Sequence, residues 1–173
     1  MARFCEGDEA SFNVLFERYS ELVHAAMRRA TKDSSLAKDL TQTTFLSVVR
    51  GRGRFTSGSR FRPWLFAIAF NALREEYRRR SRNKERVVEP SQLPELTTEC
   101  TVADRGLRKR LQLALDLLPE HQREAVVLHQ FAEFSFCEIA EMLGSTESTV
   151  KVRAHRGYQR LRKSLRDLRG DHV

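Results

Sequence analysis

The side chains best suited to chemistry in this sequence form one face of a segment near the C-terminus. At helical spacing, the residues opposite its apolar stripe are mostly polar or cationic: Ser148, Lys151, Val152, His155 and Arg156, flanked by Arg153. Arginine can donate two hydrogen bonds to a guanine edge, and lysine can contact guanine or phosphate. The face therefore suits the major groove of DNA, although a lone basic helix is more often a solvated surface.

The residues before this face favour the DNA interpretation. A short helix is predicted over residues 135–143, and a longer one over residues 147–168. Gly144 lies between them, and glycine readily adopts the left-handed conformation that ends a helix and turns the chain. A short helix, a glycine-containing turn and a longer second helix are typical of a helix–turn–helix. The sequence therefore predicts a DNA-binding helix–turn–helix at the C-terminus.

A second cationic segment lies in the N-terminal half of the chain. A loop is predicted over Arg50–Arg62, which contains five arginines and three glycines, and a helix from Trp64 to about Arg80. The helix carries a polar and basic stripe that consists of Asn71, Arg74, Arg78 and Arg82. Unpaired bases bind where aromatic rings lie beside cations, as Phe55 and Phe61 do in this loop. Taken alone, phenylalanines at these two positions more often fill a core than stack on bases.

Charge is unevenly distributed along the 173 residues, whose net charge is +8. Residues 50–86 have 12 basic and 3 acidic side chains, and residues 151–169 have 8 and 1. Residues 1–49 carry 6 basic against 7 acidic side chains, and residues 87–150 carry 5 against 11. Two separate cationic blocks of this kind favour a polyanionic partner such as nucleic acid.

Apolar periodicity predicts an all-α fold made of two small helical domains. One helix is predicted over Glu9–Ala30, and a second begins after a cap at Asp33 or Ser34. Further helices are predicted from Trp64 to about Arg80 and over residues 107–117, 120–131, 135–143 and 147–168. Residues 87–106 contain two prolines and no sustained period, which predicts a flexible linker. The predicted domains are therefore 1–86 and 107–173, and the linker could span roughly 65–70 Å when extended.

Several other classes of protein are disfavoured by composition. Cys5, Cys100 and Cys137 lack the spacing of a zinc site or a disulfide framework, and no cofactor is predicted. No signal peptide or membrane-spanning segment is apparent, so a cytoplasmic protein without membrane insertion is expected. The nearest approach to a metal-dependent catalytic cluster consists of Glu120, His121, Glu124 and His129. These residues lack the HExxH spacing, so an enzyme is not predicted.

Three stretches together resemble bacterial RNA polymerase sigma factors of the extracytoplasmic-function group. They are "KDLTQTTFLSVV", "FRPWLFAIAFNALREEYRRRSR" and "LDLLPEHQREAVVLHQFAEFSFCEIAEMLGSTESTVKVRAHRGYQRLRK", and they cover most of the chain. The resemblance implies a factor that binds core RNA polymerase and directs promoter-specific initiation. The alternative is a conventional helix–turn–helix regulator that binds operator DNA without polymerase.

The resemblance also implies three sites and a set of partners. Contact with the polymerase core would involve Asp39, Leu40, Gln42, Thr43 and Phe45. Melting of the minus-ten element would involve Phe55, Arg60, Arg62, Asn71, Arg74 and Arg78. Recognition of the minus-thirty-five element would involve Ser148, Lys151, Val152, Arg153, His155 and Arg156. The implied partners are promoter DNA, the β′ clamp and β flap of polymerase, and an anti-sigma factor.

This sequence departs from the family pattern at three of the relevant positions. Lys38 and Thr43 stand where the family usually has an acidic residue, and Val152 replaces a more common serine. The first two departures concern the polymerase contact, and the third concerns base recognition. The promoter sequence therefore cannot be transferred from relatives.

Overall fold

The computed structural model describes residues 1–84 and 102–170, which form two compact units. Within those ranges, the N-terminal unit comprises residues 1–28 and 33–84, and the C-terminal unit comprises residues 29–32 and 102–170. Every regular element of the described residues is helical, as the all-α prediction requires. None of the helices in these ranges is both long and apolar enough to span a membrane.

The N-terminal unit contains four α-helices and one 3₁₀ turn. The helices are α1 (Ala2–Cys5), α2 (Glu9–Ala30), α3 (Ser34–Arg50) and α4 (Phe61–Lys84), and the 3₁₀ turn is Arg52–Arg54. The consecutive helices α3 and α4 pack together. Each helix turns one apolar stripe inward, and the largest fully buried side chains of the unit include Met27, Leu65, Phe66 and Phe70. The opposite faces remain available for ligands.

Charged side chains fix where α3 begins and join its first turn to α4. The Asp33 carboxylate accepts hydrogen bonds from the backbone N–H groups of Ser35 and Leu36, at 2.9 and 3.1 Å, so the predicted cap at Asp33 is confirmed. Arg80 reaches both Asp33 and Glu76, at 3.3 and 2.8 Å. Hydrogen bonds from the neighbouring arginines lower the pKa of Glu76, which keeps this carboxylate charged.

The C-terminal unit contains the predicted helix–turn–helix. Its helices are α5 (Val102–Asp116), α6 (Glu120–Val126), α7 (Phe136–Leu143) and α8 (Glu147–Gly170). Ser135 and Glu138 form a capping box at the start of α7. Gly144 ends α7 with φ 58° and ψ 45°, the left-handed conformation that the sequence predicts. The core of this unit includes Ala114, Leu115, Leu118, Val126 and Leu161.

Some element boundaries differ from the predicted ones. Helix α4 begins at Phe61 rather than after Arg62, and α5 begins at Val102, inside the segment predicted as a linker. Residues 85–101 of that region lie outside the described part of the chain. The single helix predicted over residues 120–131 changes at Val127 into a π-helical turn that ends at Phe131. Periodicity did not reveal this change because one widened turn barely alters the apolar pattern.

Replacing Gly157 with alanine is expected to destabilise the C-terminal unit. A Cβ at this position would lie 2.6 Å from Val126 Cγ2 and 3.3 Å from the Gln122 carbonyl oxygen, because α6 packs closely along α8. Overpacking of this kind costs about 1–3 kcal/mol, which exceeds the gain of about 1 kcal/mol in helix propensity. Thermal unfolding should therefore show a lower Tm for Gly157→Ala.

The matched control for this substitution is Gly106→Ala. Gly106 also lies inside a helix, but a Cβ there would meet nothing within 4 Å. The control should raise stability by about 0.5–1 kcal/mol, since alanine is favoured over glycine within a helix. Equal Tm values for Gly157→Ala and wild type would contradict the close approach of α6 and α8.

Candidate nucleic-acid interface

A shallow groove on the C-terminal unit includes most of the face predicted to contact the major groove. It is lined by His121, Ser148, Thr149, Val152, Arg153 and Arg156. Ser148, Val152 and Arg156 are exposed and follow one another at intervals of one helical turn. Val150 and Ala154 are fully buried on the other side of α8, so the core fixes how this face is directed. The groove therefore presents a rigid, cationic surface with an apolar patch at Val152.

Two of the six predicted residues on α8 do not line this groove. Lys151 is exposed and forms an ion pair within the helix, with its Nζ 2.7 Å from Glu147 Oε1. His155 is also exposed, and its Nε2 lies 3.0 Å from Nε2 of Gln159. Both remain accessible to a ligand, but the charge of Lys151 is partly compensated in the absence of one. The four residues that the structure brings together are Ser148, Val152, Arg153 and Arg156.

His121 and Thr149 line the groove although the DNA prediction did not include them. Thr149 belongs to α8, where its hydroxyl lies 2.8 Å from that of Thr146. His121 comes from α6, and it reaches the groove because α6 packs against α8. The one available sequence signal was Gly157, since a glycine inside a helical pattern indicates the close approach of another backbone. That signal does not identify which segment approaches.

The residues considered for metal chemistry do not converge on one point. Glu120 and His121 are exposed, whereas Glu124, one turn further along α6, is buried. His129 stacks on Phe136, with ring centroids 4.1 Å apart, and its Nδ1 lies 3.0 Å from the Tyr158 hydroxyl. Among residues 1–84 and 102–170, no three histidine, cysteine or acidic side chains are grouped as metal ligands would be.

The segment that joins α3 to α4 in the N-terminal unit is termed the arginine loop, residues 51–60. Its Arg54 and Arg60 side chains are exposed. Phe55 is half-buried, and its ring centroid lies 5.1 Å from that of Trp64 and 6.2 Å from that of Phe61. The loop therefore combines exposed cations with an aromatic cluster that anchors it to α4. Phe55 contributes to that cluster and retains part of its surface.

The polar stripe of α4 contains side chains with different surroundings. Asn71 and Arg78 are exposed, whereas Arg74 is half-buried. Arg62, at the start of the helix, places its guanidinium 6.0 Å from the centre of the Phe66 ring. Because α4 rises about 1.5 Å per residue, Arg62 and Arg78 are roughly 24 Å apart along its axis. The stripe is therefore long enough to follow several nucleotides of an extended strand.

The three consecutive arginines near the end of α4 are not equivalent. Arg79 donates two hydrogen bonds to Glu76, at 2.7 and 2.9 Å, and Arg80 also pairs with Glu76. Arg78 instead directs its Nε to the carbonyl oxygen of Arg74, at 3.3 Å. The charges of Arg79 and Arg80 are thus partly neutralised by a carboxylate. Arg78 is the member of the run best placed to attract a phosphate.

The surface of α3 contains the residues implied in polymerase contact. Asp39, Gln42 and Thr43 are exposed, whereas Leu40 and Phe45 are buried, in keeping with the pattern of the helix. An apolar groove of about 420 Å³ lies beside this face, between α2 and α3. The groove is lined by Phe12, Phe16, His24, Lys38, Thr41, Gln42, Phe45, Leu46 and Val49. This face therefore joins polar side chains to an apolar recess.

The groove between α2 and α3 contains exposed apolar side chains. Leu46 is 48% exposed and Phe16 is 44% exposed, and the Phe16 ring contacts that of Phe45 with centroids 4.9 Å apart. His24 lines the same groove, and burial followed by the charges of Arg28 and Lys38 lowers its pKa. The lowered pKa keeps His24 neutral near pH 7, so the positive charge among the groove's lining residues comes from Lys38.

Two segments of the chain match conserved regions of the sigma-70 proteins. Residues 15–83 match "Sigma-70 region 2", and residues 108–161 match "Sigma-70, region 4". The RNA polymerase sigma factor CarQ of Myxococcus xanthus is 39% identical over 97% of this chain and 97% of its own length. The ECF RNA polymerase sigma factor SigM of Mycobacterium tuberculosis is 32% identical over 95% of this chain and 82% of its own.

Solved structures share the fold at lower sequence identity. The sigma factor RpoE of Bartonella quintana, determined in complex with the anti-sigma factor NepR, has a TM-score of 0.76 and 24% identity. That match covers 90% of this chain and 97% of the other. CnrH, determined in complex with the cytosolic domain of CnrY, has a TM-score of 0.72 and 24% identity over 99% of this chain and 96% of its own.

Proposed function

Since this chain belongs to the extracytoplasmic-function group of RNA polymerase sigma factors, we propose that its two helical units divide promoter recognition between them. As a sigma factor, it binds core RNA polymerase and directs promoter-specific initiation. In the proposal, residues 1–86 bind the core and melt the minus-ten element, and residues 107–173 recognise the minus-thirty-five element. Residues 87–106 connect the two. The alternative of a regulator that acts without polymerase is not favoured.

The groove on α8 carries the proposal for the minus-thirty-five element. Arg153 and Arg156 supply donors suited to guanine edges or phosphates, and Val152 offers an apolar contact for a thymine methyl group. Ser148 lies nearer the start of the helix, where side chains of a recognition helix meet base edges. Lys151 and His155 are assigned to the flanks of this contact, because they are exposed beside the groove rather than within it.

The arginine loop and the stripe on α4 support the proposal for the minus-ten element. Opened DNA presents unstacked bases and a flexible phosphate backbone, which require π-faces and cations. Phe55 provides part of an aromatic surface, and Arg60, Asn71 and Arg78 are exposed around it and along α4. Arg62 and Arg74 are half-buried, so we assign them a supporting part in the same contact.

The face formed by Asp39, Gln42 and Thr43 is proposed to bind core polymerase. Gln42 and Phe45 both line the apolar groove beside α3, which would let a helix of the partner bury apolar side chains there. Lys38, one of the departures from the family pattern, also lines this groove. Its charge replaces an acidic contact, so we expect the apolar part of the interface to contribute a larger share of the binding.

Replacing Leu46 with lysine is expected to weaken binding to core polymerase by about tenfold or more. The substitution would place a charge against apolar surface that the complex removes from water, and a tenfold loss of affinity corresponds to roughly 1.4 kcal/mol. Leu22→Lys is the matched control, because Leu22 is 47% exposed on α2 and does not line the groove. Anisotropy titration of labelled protein with core enzyme would measure both affinities. If the two variants lost the same affinity for core enzyme, the groove would not be part of the interface with polymerase.

Sigma factors are known as non-catalytic initiation factors, and we propose that this chain likewise performs no chemistry of its own. It would hold promoter DNA for an enzyme that makes the transcript. Two cationic units on one chain bind bivalently, so the second contact benefits from a high effective concentration. An anti-sigma partner that covers these surfaces, and action in the cytoplasm, belong to the same proposal.

Run-off transcription tests the proposal and identifies the promoter together. Bacterial core polymerase would be incubated with a library of genomic fragments, with and without the protein. Defined transcripts should appear only when the protein is present, and their start sites should share two conserved elements upstream. Unchanged transcription would contradict the proposal, as would tight binding of one operator duplex by the protein without polymerase.

A further inference from the structure

The short N-terminal helix α1 packs against the beginning of the arginine loop. Phe4 is only 3% exposed, and its ring lies beside that of Phe12 with centroids 5.3 Å apart. The Arg52 guanidinium carbon lies 5.9 Å from the centre of the Phe4 ring. The Cys5 thiol donates a hydrogen bond to the Arg52 carbonyl oxygen, at 3.2 Å.

Helix α1 is itself fixed to the body of the N-terminal unit. The Arg3 side chain pairs with Asp8 at 3.2 Å, and the Asp8 carboxylate also accepts a hydrogen bond of 2.8 Å from the Ser11 hydroxyl. The chain reverses at Gly7, whose φ of 102° strongly favours glycine. Helix α1 thus connects the N-terminus of α2 to the 3₁₀ turn Arg52–Arg54.

We propose that α1 is a positioning element that holds the first half of the arginine loop in the conformation able to receive unpaired promoter DNA. The inference rests on the proposed function of that loop in opening the minus-ten element. Phe4 and Cys5 are its positioning residues, and they act through Arg52 rather than on DNA.

The physical reason is the cost of ordering this particular loop. Its glycines allow many backbone conformations, and its arginines repel one another, so an unsupported loop would lose substantial entropy on binding DNA. Contacts that already restrict the loop in the unbound protein remove part of that cost from the binding step. The aromatic cluster of Phe55, Phe61 and Trp64 anchors the second half of the loop, and α1 provides the corresponding restraint on the first half.

The experiment separates opening of the promoter from all earlier steps. Holoenzyme would be assembled from core polymerase and each variant, and then mixed with the promoter fragment that run-off transcription identifies. Closed-complex affinity would be measured at low temperature, and the rate of opening by permanganate reactivity of thymines in the minus-ten element. With enough variant protein to saturate the core enzyme, Phe4→Ala should slow opening about tenfold while closed-complex affinity changes less than about twofold.

Conservative variants give a readout that a merely structural role would not produce. Phe4→Tyr keeps the ring under Arg52 and should open the promoter nearly as fast as wild type. Phe4→Leu keeps the apolar burial but not the ring face, so its rate of opening should lie between those of wild type and Phe4→Ala. Cys5→Val removes the bond to Arg52 at an exposed position and should slow opening about two- to threefold, whereas Cys5→Ser retains a donor and should not.

Two outcomes would overturn the inference. In the first, Phe4→Ala or Cys5→Val opens the promoter at the wild-type rate. In the second, Phe4→Ala lowers core affinity and Tm as much as it slows opening, and Cys5→Val cannot be distinguished from wild type. Asn71→Ala in the same assay tests the proposed function separately. If Asn71→Ala slows opening and the α1 variants do not, only the inference about α1 fails. If Asn71→Ala is also normal, the proposed function of the loop and of α4 fails with it.

Discussion

Replacing Arg156 with alanine should lower the affinity of holoenzyme for its minus-thirty-five element by about tenfold to a hundredfold, since an arginine contact to a base edge discriminates by about 1–3 kcal/mol. Arg156 is exposed, and it lines the groove two helical turns after Ser148 and one after Val152. The buried positions Val150 and Ala154 prevent α8 from rotating to offer a substitute. Fluorescence anisotropy with duplexes that carry the matched or a scrambled element would measure the loss.

The matched control is Arg162→Ala, which removes the same charge from the same helix. Arg162 is exposed but does not line the groove. Its loss should weaken binding to matched and scrambled duplexes alike and leave their ratio unchanged, as expected of a general electrostatic contribution. Arg156→Ala should instead reduce the ratio. If the two variants had the same effect on that ratio, Arg156 would be a general electrostatic contact, and recognition would have to be assigned elsewhere.

The features that the sequence predicted well are those with a local physical cause. Asp33 caps α3 because its carboxylate bonds to amides two and three residues later, and Gly144 ends α7 because of its own backbone freedom. The side of α8 that faces solvent follows from the spacing of its apolar residues. Each of these predictions depends on only a few neighbouring residues. The helix–turn–helix that they predict together is confirmed by the structure.

The features that the sequence could not predict depend on contacts between distant segments. His121 reaches the groove beside Arg153 only because α6 packs on α8. The short helix α1 has too few residues to show a period, and the residue that its Cys5 contacts, Arg52, is 47 positions away in the sequence. The ion pairs that compensate Arg79 and Arg80 depend on rotamers that composition does not reveal. These are the differences that decide which cations remain available to DNA.

The availability of Arg78 leads to a strong expectation for the N-terminal unit. The double substitution Asn71→Ala/Arg78→Ala should lower the rate of promoter opening by about tenfold to a hundredfold and leave the affinity for core polymerase unchanged. Both side chains are exposed on α4, so their removal leaves no cavity. Asn71 would hydrogen-bond an unpaired base, and loss of that bond leaves a donor or acceptor of the base unsatisfied. Arg78 would neutralise one phosphate of the opened strand.

The salt dependence of opening distinguishes the two contributions. Removing a single-strand phosphate contact reduces the slope of log K against log salt by about 0.7, whereas removing a neutral hydrogen bond leaves the slope unchanged. Arg78→Ala should therefore flatten the slope, and Asn71→Ala should lower the rate at every salt concentration. Arg79→Ala removes an equal charge one residue further along, but Arg79 is already paired with Glu76 at 2.7 Å, so its slope should stay near that of wild type. If Arg78→Ala and Arg79→Ala flattened the slope equally, the ion pair would not determine which arginine meets the DNA, and the strand would have to follow a different path along α4.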